Sequence, residues 1–338
     1  MERRATRLLT AVLGLAATAA VACPACILDW SSDTAATTSA SGTGSTTGST
    51  TGGGGGASPG APAFVAAFDL STPVTLDAVA LDDSSRIYLG GVLSGEVELP
   101  NGVALHGKPP GQAFVLALDQ VGAPRWGVTC VGAGLSLALG IAPTTSYGTF
   151  VTGSFAGPAT CGAADLTPVD GPDAGDDGDV FLFSLADDGA VGNVRVFGGG
   201  GAQTPHAVTT DATGHASIAG EFFGHLAVGG ATADDLGVAS HLFVANPSGA
   251  GWVRAVGDDA GGGGAVVAMA AFGTSKLVVG GTVHGSGLDL GTGQPSDGDQ
   301  DALVMAVATD DGSTVWAQRF PGSDAQSVLA VAAHEKDG

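Results

Sequence analysis

The chain has few positively charged side chains. Its 338 residues include 11 lysines and arginines against 33 aspartates and glutamates, which gives a formal net charge of −22. Nucleic acids and anionic membrane surfaces attract basic patches, so this balance excludes recognition of either through basic residues. Aromatic residues make up only 6% of the chain, whereas 44% of its residues are hydrophobic. The core must therefore be built from Val, Leu and Ala with a few Phe.

Familiar catalytic motifs are lacking as well. The sequence contains no G-x-S-x-G, no H-E-x-x-H and no dinucleotide-binding glycine motif between a strand and a helix. The seven histidines lack the spacing of metal ligands, and His206 and His215 are expected to lie on an exposed hairpin. We therefore predict no enzymatic activity and no cofactor, although the many carboxylates leave a glycosidase-like pair open.

Residues 1–22 have the composition of a secretory signal peptide. Arg3, Arg4 and Arg7 form a positively charged start. Residues 8–21 follow as an apolar segment that is too short for a permanent membrane span. The sequence therefore predicts an exported protein.

The signal segment ends in Ala20-Val21-Ala22-Cys23. This ending resembles the lipobox of bacterial lipoproteins, with Ala20 where that motif usually has Leu. The resemblance implies cleavage before Cys23 and attachment to a lipid membrane through acyl chains on Cys23. Pro24 rather than Asp follows the cysteine, which, by analogy with lipoprotein sorting in enteric bacteria, favours the outer membrane or cell surface. Cleavage after Ala19 or Ala22 without lipidation, giving a periplasmic or secreted protein, is the alternative.

Residues 23–63 are predicted to be a disordered linker. From residue 31 onward they consist of Ser, Thr and Gly with almost no apolar side chains, and residues 52–56 are five consecutive glycines. Such a segment cannot bury enough apolar surface to fold. It suits a tether that holds a folded region, residues 64–338, away from a membrane.

Residues 64–338 contain one phrase four times. An apolar strand ends on a glycine, here called the marker glycine, and this glycine opens the pattern G-x-Φ-x-G, where Φ is apolar. The marker glycines are 62, 67 and 61 residues apart and are Gly91, Gly153, Gly220 and Gly281. A fixed period of this length indicates stacked or radially arranged units.

Each repeat is predicted to contain four short strands. The first strands are expected at residues 77–81, 137–142, 206–210 and 266–271, and the second at 87–91, 149–153, 216–220 and 277–281. The third are expected at 113–118, 180–185, 242–245 and 302–307. The fourth begin near Trp126, Trp252 and Trp316, with Asn193 or Val194 in that place in the second repeat. Tight turns between them predict an all-β, β-propeller-like fold of four repeats of about 62 residues.

Partial strands flank the four repeats. Residues 64–69 read as a third strand and residues 328–333 as a first strand, each without the rest of its repeat. An open arc or a truncated propeller is expected, and a partial fifth blade formed by the two ends is the alternative. The repeated Trp and Phe residues are expected to pack between neighbouring repeats.

The third strands carry a more specific pattern. Residues 179–182 (DVFL), 112–115 (QAFV) and 301–304 (DALV), each after a marker glycine phrase and before a fourth strand, resemble the bacterial β-propeller repeat called SBBP. The third repeat departs from the pattern with His241. The resemblance implies a propeller fold of the kind found in secreted and lipid-anchored proteins of myxobacterial type. It implies no particular activity, because that family has none in common.

Two acidic loops and one cysteine pair are the remaining candidate sites. Both loops contain alternating aspartates, which could ligate Ca²⁺ or simply be solvated. The aspartates of the first loop are Asp165, Asp173, Asp176, Asp177 and Asp179, and those of the second are Asp297, Asp299 and Asp301. Cys130 and Cys161 fall in neighbouring repeats, where export permits either a disulfide or two buried thiols. The expected role is a binding or scaffold module with a protein or glycan partner. A propeller hydrolase acting on glycans or other extracellular polymers is the alternative.

Overall fold

The computed structural model describes residues 72–144, 148–169, 178–235, 239–249, 251–258, 261–286, 288, 290, 297–322 and 324–333. The predicted signal peptide, Cys23, the linker and the partial strand at residues 64–69 lie outside these residues. The described residues form 22 strands, one short 3₁₀ turn at Pro100–Gly102 and no α-helix. The predicted all-β class is confirmed.

The strands follow the predicted repeats. The first repeat contains β1 (Val74–Leu81), β2 (Ile87–Leu93), β3 (Glu96–Glu98), β4 (Ala104–His106), β5 (Gln112–Leu118) and β6 (Pro124–Gly132). The second contains β7 (Ser136–Pro143), β8 (Thr149–Phe155), β9 (Ala159–Cys161), β10 (Ala164–Leu166), β11 (Asp179–Leu185) and β12 (Val191–Phe197). The third contains β13 (Gln203–Thr210), β14 (Ala216–Phe222), β15 (Gly224–Val228), β16 (Ala231–Asp235), β17 (His241–Asn246) and β18 (Trp252–Val256). The fourth contains β19 (Gly263–Phe272), β20 (Lys276–Ser286), β21 (Asp297–Ala308) and β22 (Thr314–Phe320).

Each repeat forms an antiparallel sheet of four strands that pair in chain order. The orders are β1-β2-β5-β6, β7-β8-β11-β12, β13-β14-β17-β18 and β19-β20-β21-β22, and the first sheet continues from β6 into β9 and β10 of the second repeat. In the first three repeats a hairpin lies between the second and third strands, where the sequence predicted only a variable loop. Buried Val97, Leu105, Leu166 and Leu226 in these hairpins are the apolar signal that the prediction missed.

The marker glycines are explained by the strand pairing. In every repeat the first strand bulges beside the marker glycine, so that Asp77, Leu139, His206 and Val267 are the extra residues. The neighbouring first-strand carbonyl presses on the glycine: a Cβ on Gly91 would lie 1.9 Å from the Thr75 oxygen, and one on Gly153 would lie 1.7 Å from that of Leu137. Gly220 and Gly281 have equivalent contacts at 2.1 Å and 2.0 Å. Only glycine fits here, which is why the phrase recurs.

The third strands lie at the centre of the sheets. Every residue of β5, β11 and β17 is buried, so these strands are covered on both faces. Phe114, Phe181 and Phe243 lie opposite the marker glycines of their own repeats, where the missing side chain leaves room for an aromatic ring. The near-continuous apolar runs predicted from the sequence therefore mark the core.

Neighbouring repeats pack through their first strands and their outer edges. β7 lies between β1 and β13, and β13 lies between β7 and β19. At each outer edge a side chain of the fourth strand donates to a backbone carbonyl in the next repeat's last turn. Trp126 Nε1 reaches Asp187 at 2.9 Å and Trp252 Nε1 reaches Thr309 at 2.9 Å. In the second repeat an arginine, Arg195, contacts the Pro247 carbonyl instead.

Two details differ from the predicted strand plan. By register, Gly192 rather than Asn193 or Val194 corresponds to the tryptophans in the second repeat, because Gly192 lies opposite Ser184 as Trp126 lies opposite Ala117. Residues 328–333 lie against the fourth repeat without forming a strand. Within the described ranges, no helix is both long and apolar enough to cross a bilayer.

Candidate functional site

A polar cleft of about 710 Å³ lies where the turns of the first and second repeats meet. Three turns form it: the β1–β2 turn, the β7–β8 turn and the β11–β12 turn. Its lining residues are Asp82, Asp83, Ser84, Arg86, Thr144, Gly148, Ser184, Ala186, Asp187, Ala190, Val191 and Gly192. Because the sheets pack side by side through their first strands, turns at the same end of two sheets come together and leave this space.

Arg86 joins the two repeats within the cleft. Its Nε lies 2.5 Å from Asp82 Oδ2, and its Nη1 lies 3.0 Å from Asp187 Oδ1 on the neighbouring repeat. Asp82 also accepts a hydrogen bond of 3.1 Å from the Tyr88 hydroxyl. The Asp82–Arg86 pair is largely buried, whereas Asp187 is exposed. Arg86 therefore pairs with a buried carboxylate on one side and with a solvent-exposed carboxylate on the other.

The electrostatics of Asp82 follow from these contacts. Burial of the Asp82 carboxyl would by itself raise its pKa. Hydrogen bonds from Arg86, the positive charge of Arg86 and a hydrogen bond from the Tyr88 hydroxyl outweigh this effect and hold the pKa of Asp82 below its ordinary value. The carboxylate is therefore ionised at neutral pH. With Asp83 and Asp187 the cleft has three carboxylates against one guanidinium, which disfavours anionic ligands.

The cleft offers polar groups that can bind a ligand. Its described lining offers hydroxyls, carboxylates, one guanidinium and small apolar side chains, and it includes no histidine or cysteine. Such a surface suits a neutral polyhydroxylated or a cationic ligand. Sequence reasoning predicted only a polar turn at Asp82 to Ser85, and no sequence pattern indicated that Arg86 would bridge two repeats.

A second polar cluster lies on the third repeat. His206 is the bulged residue of β13, and its Nε2 lies 3.6 Å from Glu221 Oε1, while the Ser240 hydroxyl donates to Glu221 Oε2 at 2.8 Å. The interaction with His206 lowers the pKa of Glu221. Since the serine donates to the glutamate rather than to the imidazole, this arrangement does not activate a nucleophile. His215 lies apart, on the exposed β13–β14 turn beside Thr213.

The acidic loops are described only in part. Asp173, Asp176 and Asp177, and the side chains of Asp297 and Asp299, lie outside the described residues. The three remaining carboxylates interact within the protein: Asp165 accepts from Thr160, Asp179 from the Val169 N–H, and buried Asp301 pairs with Arg319. Among the described residues, no three His, Cys, Asp or Glu side chains are grouped as a metal site.

Cys130 and Cys161 are joined by a disulfide with an S–S distance of 2.04 Å. Cys130 lies on the outer strand β6, and Cys161 lies directly opposite it on β9, the hairpin strand of the next repeat. Both cysteines are buried. The bond therefore joins the first and second repeats on the side away from their first strands.

Compared with known proteins, the chain matches no protein-family model and no curated protein.

Proposed function

We propose that the four repeats are blades of an SBBP-type β-propeller, carried by an exported lipoprotein that acts as a binding or scaffold module at the cell surface or in the periplasm. The recurrence of one junction carries the proposal. Three successive repeat boundaries have first strands packed in chain order and an outer side chain bonded to the next repeat's turn. A β-propeller repeats four-stranded antiparallel sheets radially, and the recurrence of this junction supports that arrangement.

The cleft between the first two blades is the proposed binding site. It is concave and polar, and it lies at the boundary between two units, a place where ligand sites often form. Its hydroxyl and carboxylate groups can hydrogen-bond the hydroxyls of a neutral polyhydroxylated ligand such as an extracellular glycan, and its acidic lining disfavours anionic ligands. Membrane attachment through Cys23, followed by a linker of about 40 residues, would hold this cleft clear of the lipid surface.

Binding and hydrolysis can be separated with a polysaccharide assay. The full chain carrying Cys23→Ser is incubated with insoluble cell-wall polysaccharide from the source organism, and both co-sedimentation and new reducing ends are measured. We expect co-sedimentation without new reducing ends. Continuous release of reducing ends would overturn the proposal in favour of the hydrolase, and failure to sediment would exclude this glycan role.

Two variants test the location of binding. Asp83 is exposed and lines the cleft, so Asp83→Ala changes the ligand surface without disturbing the Asp82–Arg86 pair. Asp310 is equally acidic and exposed but lies in the last turn of the fourth repeat, so Asp310→Ala is the matched control. Weaker co-sedimentation of the Asp83 variant alone would support the cleft, whereas an equal effect of both would reflect net charge.

A further inference from the structure

The cleft between the first two repeats has an unbalanced charge. Among its described lining residues, Asp82, Asp83 and Asp187 are acidic and Arg86 is the one cation, so the formal net charge of the lining is −2. The whole chain, with a formal net charge of −22, adds to the negative potential over the cleft. A cation that enters the cleft is therefore attracted both by its lining and by the protein as a whole.

The backbone donors of the cleft are largely used within the protein. In all three turns, N–H groups of lining residues donate to a carbonyl or carboxylate of the same turn. The residues whose N–H groups are used in this way are Asp82, Ser84, Arg86, Thr144, Ala186 and Ala190. A ligand that depends on accepting hydrogen bonds from backbone N–H groups finds few of them here.

Two of the three hydroxyl groups in the lining donate within the protein as well. Thr144 Oγ1 donates to the Gly148 carbonyl at 2.8 Å, and Ser184 Oγ donates to the Gly192 carbonyl at 3.0 Å. Because each hydroxyl has a single hydrogen, neither side chain has a second donor to offer to a ligand. The hydroxyls of the cleft are thus limited in the same direction as its backbone.

The carboxylates are the groups that remain for a ligand. Arg86 contacts both Asp82 and Asp187, so its one positive charge is shared between two carboxylates. Asp187 is still 76% exposed, and Asp83 is exposed and has no ion-pair partner among the described residues. The matching ligand group is a cation with several donors. A primary ammonium has one positive charge, three N–H donors and no acceptor.

The remaining lining favours an ammonium group on a sugar over one on a lysine side chain. A lysine packs its long apolar stem along apolar surface. The apolar side chains in this cleft are small, and they are Ala186, Ala190 and Val191. An amino sugar carries its amine directly on a hydroxylated ring, so it needs no apolar channel and its hydroxyls can donate to the carboxylates.

We propose that the ligand of this cleft is a glycan with free amino groups, whose ammonium groups bind Asp83 and Asp187. This inference rests on the proposed glycan binding at the same cleft and specifies the class of glycan. N-Acetylation removes the positive charge of the amine and leaves a single N–H donor beside a new carbonyl acceptor. An N-acetylated glycan of the same length should therefore bind more weakly.

Calorimetric titration tests this selectivity. The full chain carrying Cys23→Ser is titrated with glucosamine oligosaccharides and with N-acetylglucosamine oligosaccharides of the same length, at a pH where the free amines are protonated. We expect at least tenfold tighter binding of the free-amine form, with most of this advantage lost at high salt. Equal affinity for the two forms would overturn the inference and leave glycan binding in place. Binding of neither form would also overturn it, and co-sedimentation with the cell-wall polysaccharide then decides the proposed function independently.

A charge variant locates the ammonium contact. Asp83→Asn removes an exposed charge without touching the Asp82–Arg86 pair, so it should weaken binding of the glucosamine oligosaccharide at least fivefold and leave the N-acetylated form unaffected. Asp310→Asn is the matched control, because Asp310 is exposed in the last turn of the fourth repeat. Equal losses in the two variants would show that the net charge of the chain, not the cleft, attracts the amine, and would overturn the proposal.

Oligolysine with the same number of amines tests whether the sugar is recognised. We expect the wild type to bind oligolysine at least tenfold more weakly than the glucosamine oligosaccharide. Oligolysine binding as tight as that of the amino sugar would show that the amine is recognised without its ring, and would overturn the assignment to a glycan.

Discussion

The indole N–H of Trp126 donates to the backbone carbonyl of Asp187, which lies 61 residues further along the chain and 2.9 Å away. The same ring lies against Gly189, where a Cβ would come within 2.8 Å of it. Trp252 has the same relationship to the Thr309 carbonyl and Gly312. A repeat in this protein is therefore stabilised at its outer edge by the repeat that follows it.

Replacing the indole by a phenyl ring tests this edge contact. Trp252→Phe keeps an aromatic ring but removes the N–H that bonds the Thr309 carbonyl, so the free energy of unfolding should fall by about 1 kcal/mol. Trp316→Phe removes the same group where no carbonyl of the described residues accepts it, and we expect a change within about 0.5 kcal/mol. Urea unfolding of the two variants at low protein concentration measures the difference. Equal losses would contradict the junction role of Trp252.

The marker glycines predict a second stability difference. A methyl group on Gly91 would lie 1.9 Å from the Thr75 carbonyl oxygen, so Gly91→Ala must move one strand of the pair. Overpacking of this kind costs about 3 kcal/mol. The control is Gly192→Ala, also in a strand, where the nearest atom is 3.5 Å from the added methyl group and the cost should stay within about 0.5 kcal/mol. Thermal melting compares the two, and a Gly91→Ala protein as stable as the control would contradict this explanation.

The repeat could be predicted from sequence because its strongest constraint is steric. A first-strand carbonyl oxygen lies where a Cβ atom would be, so only glycine fits at these positions. The marker glycines can therefore be recognised in the sequence even though the residues around them vary. The first strands were predicted to start late, at residue 77 instead of Val74 and at residue 206 instead of Gln203. The bulge at these positions interrupts the alternation of apolar side chains, and this alternation is the signal that marks a strand.

The cleft could not be predicted in the same way. Arg86 contacts Asp82 four residues before it, which a sequence can suggest, but it also contacts Asp187 a full repeat away. That second contact depends on how two sheets are placed side by side. The Cys130–Cys161 pairing was open for the same reason, because the end of β6 extends past β5 and pairs with β9 of the next repeat.

The disulfide should stabilise the boundary between the first two repeats. It closes a loop between residues 31 positions apart, and the chain-entropy model gives about 4 kcal/mol for a loop of this size. We expect Cys130→Ala/Cys161→Ala to lower the melting temperature by several degrees. Reduction of the wild type should produce a similar loss, and a reductant should not affect the double variant. A double variant as stable as the oxidised wild type would show that the bond is dispensable.

The proposed lipidation of Cys23 can be tested by labelling with a fatty-acid analogue. In cells given a fatty-acid analogue, the wild type should be labelled and Cys23→Ser should not, because the lipobox resemblance places the acyl chains on Cys23. Cys26→Ser is the matched control, since it changes a cysteine three residues away and should leave the label in place. Loss of the label in Cys26→Ser alone would show that Cys26 is the lipidated residue. A wild type without label would support a freely exported chain.

The Asp82–Arg86 pair predicts a pH dependence with a defined sign. The pKa of Asp82 is lower in the folded protein than the value of about 3.9 expected in the unfolded chain. The folded state therefore binds this proton less tightly, and the stabilisation is present above about pH 4 and is lost as pH falls through the folded pKa. Asp82→Asn should lower stability at pH 7 and approach the wild type in strong acid.

A second turn provides the control for this titration. Asp119 accepts backbone N–H groups of Val121 and Ala123, much as Asp82 accepts those of Ser84 and Arg86, but no arginine in the described structure pairs with it. Asp119→Asn thus removes a carboxylate in a similar turn without breaking an ion pair. Urea unfolding measures the free energy of unfolding of each variant from pH 7 to pH 3. The difference from the wild type should shrink more with falling pH for Asp82→Asn than for Asp119→Asn. Parallel pH profiles for the two variants would mean that the turn hydrogen bonds, rather than the Arg86 charge, account for the effect.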